Sequence, residues 1–183
     1  MRKIILAVGL TLDGYIARRD GALDFLVMPK DYSMEPLLES VDTGVMGRKT
    51  LEAGLKMGGG SLPKSHMVLY VFSQSRRPGP QDGFTYVNES PAGIVSQLRK
   101  LQGKDIWLMG GGELAREFLK ADLIDELHLG IVPVLLGEGI PLFPGGFPQR
   151  DFTLIESKPY SGDMISLKYE RRSPSVRSRP SKR

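Results

Sequence analysis

Short apolar runs alternate along the chain with stretches of helical periodicity. Residues 3–9, KIILAVG, are almost continuously apolar and predict a central strand buried on both faces. Further strands are predicted over 43–46, 66–72, 84–87, 106–109 and 126–134, the last interrupted at Pro133. Met34, Leu37 and Leu38 lie three or four positions apart and predict a helix from Asp31 through Leu38, which Pro36 keeps short or starts later. Ser90 as cap and Pro91 at the first helical position predict a second helix reaching Leu101. Leu114, Ala115, Phe118 and Leu119 share one face of another, beginning after Gly112.

Residues 151–157 and 164–171 read as two late antiparallel strands joined by a hairpin-like turn over 160–163. Strands alternating with helices, then a closing hairpin, make this an α/β chain with a mixed sheet flanked by helices. Residues 18–29 predict a long surface loop of the kind that covers a site, and 137–148, dense in Gly and Pro, an irregular one. Gly58, Gly59 and Gly60 with Pro63 predict a flexible loop without chemistry of its own.

A length of 183 residues fits one domain, assigned to residues 1–170. Charge changes that picture only at the end. The net +4 sits in residues 171–183, RRSPSVRSRPSKR, which hold six of the 25 basic residues and none of the 21 acidic ones. The rest carries 19 basic residues against 21 acidic, so a nucleic-acid partner has no support outside the tail, which is predicted to be disordered. No apolar run approaches a bilayer span. Ile4 to Leu6 follow basic residues as in a signal peptide, but TLDGYIARRD leaves no adequate apolar region, so a mature cytoplasmic amino terminus is expected. The absence of cysteine removes disulfides, thiol nucleophiles, iron–sulfur clusters and thiolate zinc sites. His66 and His128 stand 62 positions apart inside apolar strands, which argues against a histidine metal site.

What remains is a set of turns suited to anions. In DIWLMGGGELAREFL, residues 105–119, a strand meets Gly110, Gly111 and Gly112 and then a helix. Glycines at such a junction admit backbone conformations closed to other residues, and the first helix amides are free to bind a phosphate. The stretch fits G-x-G-x-x-A, but no acidic residue follows in 130–134 where a Rossmann unit places its ribose ligand, and no glycine precedes a Lys-Ser or Lys-Thr pair. A second strand–glycine–helix junction lies at Gly47-Arg48-Lys49-Thr50-Leu51-Glu52. Two basic side chains at a helix start oppose the helix dipole unless an anion binds there. Ser73-Gln74-Ser75-Arg76-Arg77 reads equally as a ribose-phosphate site or as a basic loop. Two phosphate-suited turns with few reactive side chains suit an enzyme whose cofactor carries the chemistry.

Val45 to Glu52, the strand ending at Phe72-Ser73, and Trp107 to Leu114 resemble, in order and spacing, dihydrofolate reductase. Leu12-Asp13-Gly14-Tyr15-Ile16-Ala17, Asp125 to Pro133, Leu136-Gly137-Glu138-Gly139 and Pro141-Leu142-Phe143 are closer to the reductase domain of riboflavin-biosynthesis proteins and its free-standing bacterial relatives. The resemblance covers residues 2–170. It implies a dihydrofolate-reductase-like three-layer α/β/α fold, a mostly parallel sheet with a carboxyl-terminal hairpin, and NADPH as cofactor. It sets Gly47, Arg48, Lys49 and Thr50 at the cofactor phosphates, Ser73 on the adenosine side, and Gly110, Gly111, Gly112, Glu113 and Leu114 at the pyrophosphate. Gly9 and Ile16 fall near the nicotinamide, and Arg76 or Arg77 is placed by charge to pair with a 2′-phosphate.

On the substrate side, the acidic residue of the family's first helix corresponds to Asp31, with Glu35 competing; either orients a heterocycle, assists protonation, or is a helix-start carboxylate. The implied activity is hydride delivery to a C=N or C=O bond of a small heterocycle such as a pteridine or riboflavin-precursor pyrimidine. Relatives of this kind often pair as homodimers. The deaminase fused to the riboflavin reductase needs zinc-binding cysteines, which this sequence lacks. The alternatives are a non-catalytic nucleotide-binding or regulatory module and an RNA-associated protein acting through its tail.

Overall fold

Strand β1 (Ile4–Thr11) runs through the middle of the molecule because its side chains are apolar on both faces: Ile4 and Leu6 pack with one group of helices, Ile5 and Ala7 with another. The computed structural model describes residues 1–60 and 66–172; Pro63 of the predicted flexible loop and residues 173–183 of the predicted tail lie outside the described residues. After β1 come β2 (Tyr15–Ala17), α1 (Glu35–Ser40), β3 (Val41–Gly47), α2 (Arg48–Met57), β4 (Val68–Phe72), β5 (Gly79–Gln81), β6 (Phe84–Val87) and α3 (Pro91–Leu98). The chain continues through β7 (Asp105–Leu108), α4 (Gly112–Lys120), β8 (Glu126–Val132), β9 (Ile140–Pro141), β10 (Phe152–Pro159) and β11 (Ile165–Arg171).

The main sheet has the order β10-β11-β8-β1-β7-β3-β4-β6-β5. The six strands from β8 to β6 are parallel, with β10 and β11 antiparallel at one edge and β5 at the other. Helices α3 and α4 cover one face, burying Ile94, Val95, Leu98, Leu114, Ala115, Phe118 and Leu119 against Ile4, Leu6, Ile106 and Leu108. On the other face α2 places Leu51 on Met46, Val71 and Tyr86, and α1 places Leu37 beside Ile5, Ala7 and Trp107. The result is three layers, α/β/α.

Strands β3 and β7 are neighbours, yet α2 carries the chain outward to β4 while α4 carries it back past β1 to β8, on the opposite face. Divergence of this kind opens a crevice at the carboxyl ends of the two strands.

Several expectations are corrected. The first helix begins at Glu35 rather than Asp31, because Pro36 suits the first turn of a helix and disfavours a turn before it. The helix at Pro91 ends at Leu98, the fourth strand starts at Val68, and β8 stops at Val132, before Pro133. Gly79–Gln81 pairs antiparallel with Phe84–Val87 around Asp82-Gly83, both at positive φ (53° and 82°), a two-residue hairpin turn that the Asp-Gly dipeptide could have announced. Residues 12–17 and 137–148, read as turn and irregular loop, meet in a second sheet in which Tyr15 pairs with Pro141 and Ala17 with Ile140.

Candidate functional site

The two glycine turns meet at the carboxyl end of the sheet. Val45 lies opposite Leu108, and the Met109 amide donates to the Val45 carbonyl at 2.9 Å, so the ends of β3 and β7 stay in register up to the turns. Gly110 and Gly111 have φ of 96° and 90°, a region that side-chain-bearing residues rarely adopt. A Cβ on Gly111 would fall 2.9 Å from Thr50 Oγ1, so the α2 hydroxyl stands directly beside the second turn. A Cβ on Gly112 would collide with the Pro141 carbonyl oxygen, which seats α4 against β9. The first α4 bond at the turn runs from the Ala115 amide to the Gly111 carbonyl at 2.9 Å, so the amides of Gly112, Glu113 and Leu114 precede the helical ladder.

Charge at the turns is unevenly committed. Arg48 Nη1 pairs with Glu52 at 2.5 Å along one turn of α2, whereas Lys49 is exposed and has no carboxylate partner among the described residues. Two helix starts and the Thr50 hydroxyl thus meet at the carboxyl ends of β3 and β7, with Lys49 exposed on the first turn of α2, a suitable setting for a polyanion.

Comparison with known proteins gives this geometry a family. The family model described as the RibD C-terminal domain matches residues 2–166. The chain belongs to the RibD C-terminal domain family. It is 34% identical over 173 residues to protein YwjB of Bacillus subtilis (strain 168), covering 93% of this chain and 98% of that one. Among solved structures, a protein from Shewanella sp. PV-4 named for riboflavin biosynthesis superimposes with a TM-score of 0.82 at 29% identity, covering 94% of this chain and all of that one. Dihydrofolate reductase from Enterococcus faecalis, complexed with NADP(H), gives a TM-score of 0.68 at 19% identity, covering 93% and 97%. At that identity the likeness is one of fold, and the fold is dihydrofolate-reductase-like.

The remaining residues implied by the family resemblance have these places. Ser73 is buried, and its Oγ accepts from the amides of Ser75 and Arg76 at 3.3 and 3.2 Å. It therefore shapes the turn after β4 that presents Arg76 and Arg77. The Arg76 guanidinium lies 5.9 Å from the Tyr86 ring centre, and Arg77 is exposed. Glu113 is turned outward to Arg116, and Leu114 buries its side chain in the core, leaving its amide as the part able to meet an anion. Ile16 is half-buried against the core, and Gly9 lies in β1 opposite Gly130 of β8.

Asp31 stands apart from the glycine turns. It is exposed and accepts from the hydroxyl and amide of Ser161, which hold its carboxyl below the usual aspartate range. Glu35 is exposed at the first position of α1, where its amide donates to Ser33 Oγ at 3.1 Å.

Asp13 is a site-shaping residue that pattern reading passes over. It takes the buried Thr11 hydroxyl at 2.5 Å and the amides of Leu136 and Gly137 at 3.2 and 2.8 Å. The Thr11 hydroxyl first, and then those amides, lower its pKa. The loop after β1 is thereby pinned to the loop after β8, and only Asp13-Gly14 and Gly137-Glu138-Gly139 hinted that these segments turn sharply.

Clefts of about 210 and 290 Å³ open at the opposite end of the sheet, around Met1, Arg2 and Asp105, beside the ion pairs Arg2–Asp42, Arg99–Asp125 and Arg171–Asp125, with the exposed Lys100 lining the second. Among the described residues no cluster of His, Asp and Glu is arranged to hold a metal, and no helix is long and apolar enough to cross a membrane.

Proposed function

We propose that this chain is an NADPH-dependent reductase delivering a hydride to a C=N or C=O bond of a small heterocycle, of the pteridine or riboflavin-precursor pyrimidine class. The observation that supports the reading is the approach of Thr50 to Gly111, which brings two helix starts on opposite faces of the sheet within the span of one polyanion. When bound, NADPH supplies the hydride.

The chain supplies position and charge. The amides of Gly112, Glu113 and Leu114 bind the pyrophosphate, while Gly47 leaves the α2 start open and Lys49 neutralises phosphate charge with Arg48 and Thr50 alongside. Gly110 and Gly111 keep that approach free of side chains. Ser73 fixes the turn from which Arg76 or Arg77 reaches a 2′-phosphate, and Gly9 and Ile16 border the nicotinamide. Asp31 or Glu35 orients the heterocycle or assists its protonation.

The test is a thermal-shift titration with NADPH and NADH, followed by loss of NADPH absorbance with pterins and ribosylamino-pyrimidines. Stabilisation by NADPH beyond that by NADH, with turnover on a member of the panel, is expected. No stabilisation by either nucleotide would sink the reading.

A second reading, a nucleotide-binding module without turnover, draws on one observation. Asp13, Asp31, Glu35 and Glu113 are all exposed, and none is enclosed with a space in which a carboxyl would face a bound heterocycle away from water. Binding of NADPH with no turnover across the panel favours it.

A further inference from the structure

Reduction of a C=N or C=O bond is completed by a proton on the nitrogen or oxygen, and the exposed carboxylates at the carboxyl end hold none away from water. A half-buried titratable group of another kind stands on the sheet itself. In β8 the side chains of Leu127, Leu129 and Ile131 enter the core under α3 and α4, so Glu126, His128 and Gly130 share the opposite face, the face of α1. There His128 lies between Ala7 of β1 and Lys168 of β11, and Gly130 lies beside Gly9.

Same-face residues follow one another roughly 7 Å apart along a strand, so His128 is one step from the Gly9–Gly130 pair. Neither glycine raises a side chain of its own, and the flexible ends of Leu26 and Met164 lie nearest above them. On the β7 side, the Trp107 indole N–H donates to the Ala7 carbonyl at 2.9 Å, and Leu37 of α1 packs beside that indole. The face next to His128 is thus bare backbone bordered by an aromatic ring, a setting a flat heterocycle fits.

The imidazole is held by one nitrogen. Nε2 lies 2.8 Å from Glu126 Oε2, while Glu126 Oε1 takes Lys3 Nζ at 2.6 Å. Burial pushes the Glu126 carboxyl up, but hydrogen bonds from Lys3 and His128 outweigh it and hold it below the usual glutamate range. An ionised carboxylate only accepts, so Nε2 carries the hydrogen and Nδ1 is the open position, without a hydrogen-bond partner among the described residues. Lys168 is committed to Glu156 at 2.9 Å, and Lys3 also reaches Glu170 at 3.3 Å. With a proton on Nδ1 as well, the ring completes a balanced set: Lys3, Lys168 and His128 against Glu126, Glu156 and Glu170. His128 is 19% exposed, enough to be reached from outside while most of the ring is shielded.

We propose that His128 is the proton donor of the reduction, with Glu126 fixing Nε2 and Nδ1 facing the heterocycle. Hydride adds to the carbon, the π pair of the C=N or C=O bond withdraws onto nitrogen or oxygen, and that atom takes the Nδ1 proton. The ring is left neutral, still bonded through Nε2 to Glu126, and regains a proton from water. The proposal rests on the reductase reading, which supplies the hydride and puts the nicotinamide near Gly9.

The first experiment needs no turnover. The chain has two histidines, His66 and His128, whose ring signals in a nuclear magnetic resonance spectrum are told apart with His128→Gln. NADP⁺ is added together with free pterin or with a ribosylaminouracil, and binding is read in parallel by thermal shift. The His128 signals should move and those of His66 stay. Binding that leaves His128 untouched overturns the proposal alone, whereas no binding by any pair removes the reductase reading and the proposal with it.

The second experiment separates proton donation from a structural role, using whichever panel member wild type reduces. His128→Gln keeps a side-chain N–H for Glu126 but has no proton to give. Its kcat should fall by about a hundredfold or more, with NADPH affinity within about twofold of wild type. Added imidazole should restore part of the rate in His128→Ala, which a contact needed only for folding would not allow. A kcat in His128→Gln within about threefold of wild type overturns the proposal and leaves the reductase reading standing.

Discussion

The two ends of the parallel sheet use the same residue types to opposite purposes. At the amino end, Arg2 is 7% exposed and binds Asp42, the Thr43 hydroxyl and the carbonyl of Leu98, while Arg99 and Arg171 share Asp125. Every one of those guanidinium groups is matched by a carboxylate. At the carboxyl end Lys49 and Arg77 have no carboxylate partner among the described residues, and the backbone turns on glycine. The guanidinium groups at the amino end are satisfied within the chain and are costly to unpair, whereas exposed cations beside free helix amides suit an anion. Clefts of about 210 and 290 Å³ lie at the amino end, away from the two glycine turns.

If the contrast holds, variants at the two ends should separate stability from binding. The largest effect is expected at the amino end: Arg2→Met removes a buried cation that Asp42, the Thr43 hydroxyl and the Leu98 carbonyl all engage. It should cost about 2 to 3 kcal/mol in urea denaturation, below the value for a wholly buried pair because Asp42 is 36% exposed. NADPH affinity should be unchanged once the variant is folded.

Gly112→Ala crowds the Pro141 carbonyl and should cost about 2 kcal/mol, a typical overpacking cost, while also weakening NADPH because α4 shifts at its start. Lys49→Ala is expected to leave the melting temperature in place and weaken NADPH by about fivefold, the loss of roughly 1 kcal/mol from one charged contact. A calorimetric titration checks both.

The smallest effect concerns pH. The Asp13 carboxyl is held below its unfolded value, so it favours the folded state above about pH 4, and that contribution fades as pH falls through the lowered folded value. Wild type should therefore exceed Asp13→Asn in stability at neutral pH, and urea midpoints measured down a pH series should converge in acid.

The parts of this molecule legible in its sequence are those set by local pattern. The apolar run of β1, the helix face of Leu114, Ala115, Phe118 and Leu119, and the two glycine junctions depend on neighbours within a few residues. The meeting of Thr50 with Gly111 does not, since it follows from the β3–β7 register, which no short stretch encodes. The three- and two-residue strands β2 and β9 are equally silent: each is too short to show a period, and they exist because Asp13 and the Leu142 amide hold their loops together. Asp31 was legible as an acidic residue before a helix, but its partner Ser161 lies 130 positions away, so its engagement was not. The β3–β7 register is what brings the two glycine turns side by side.

The central claim is that the two glycine turns form one NADPH site. Its most direct test is an equilibrium titration with NADPH, followed by Trp107 fluorescence, in wild type and in Gly111→Ala, whose methyl would crowd the Thr50 hydroxyl at a φ of 90°. The account predicts saturable binding in wild type, weakened by at least about tenfold in the variant, with circular dichroism unchanged. No saturable binding in wild type, or equal affinity in the two proteins, would contradict it.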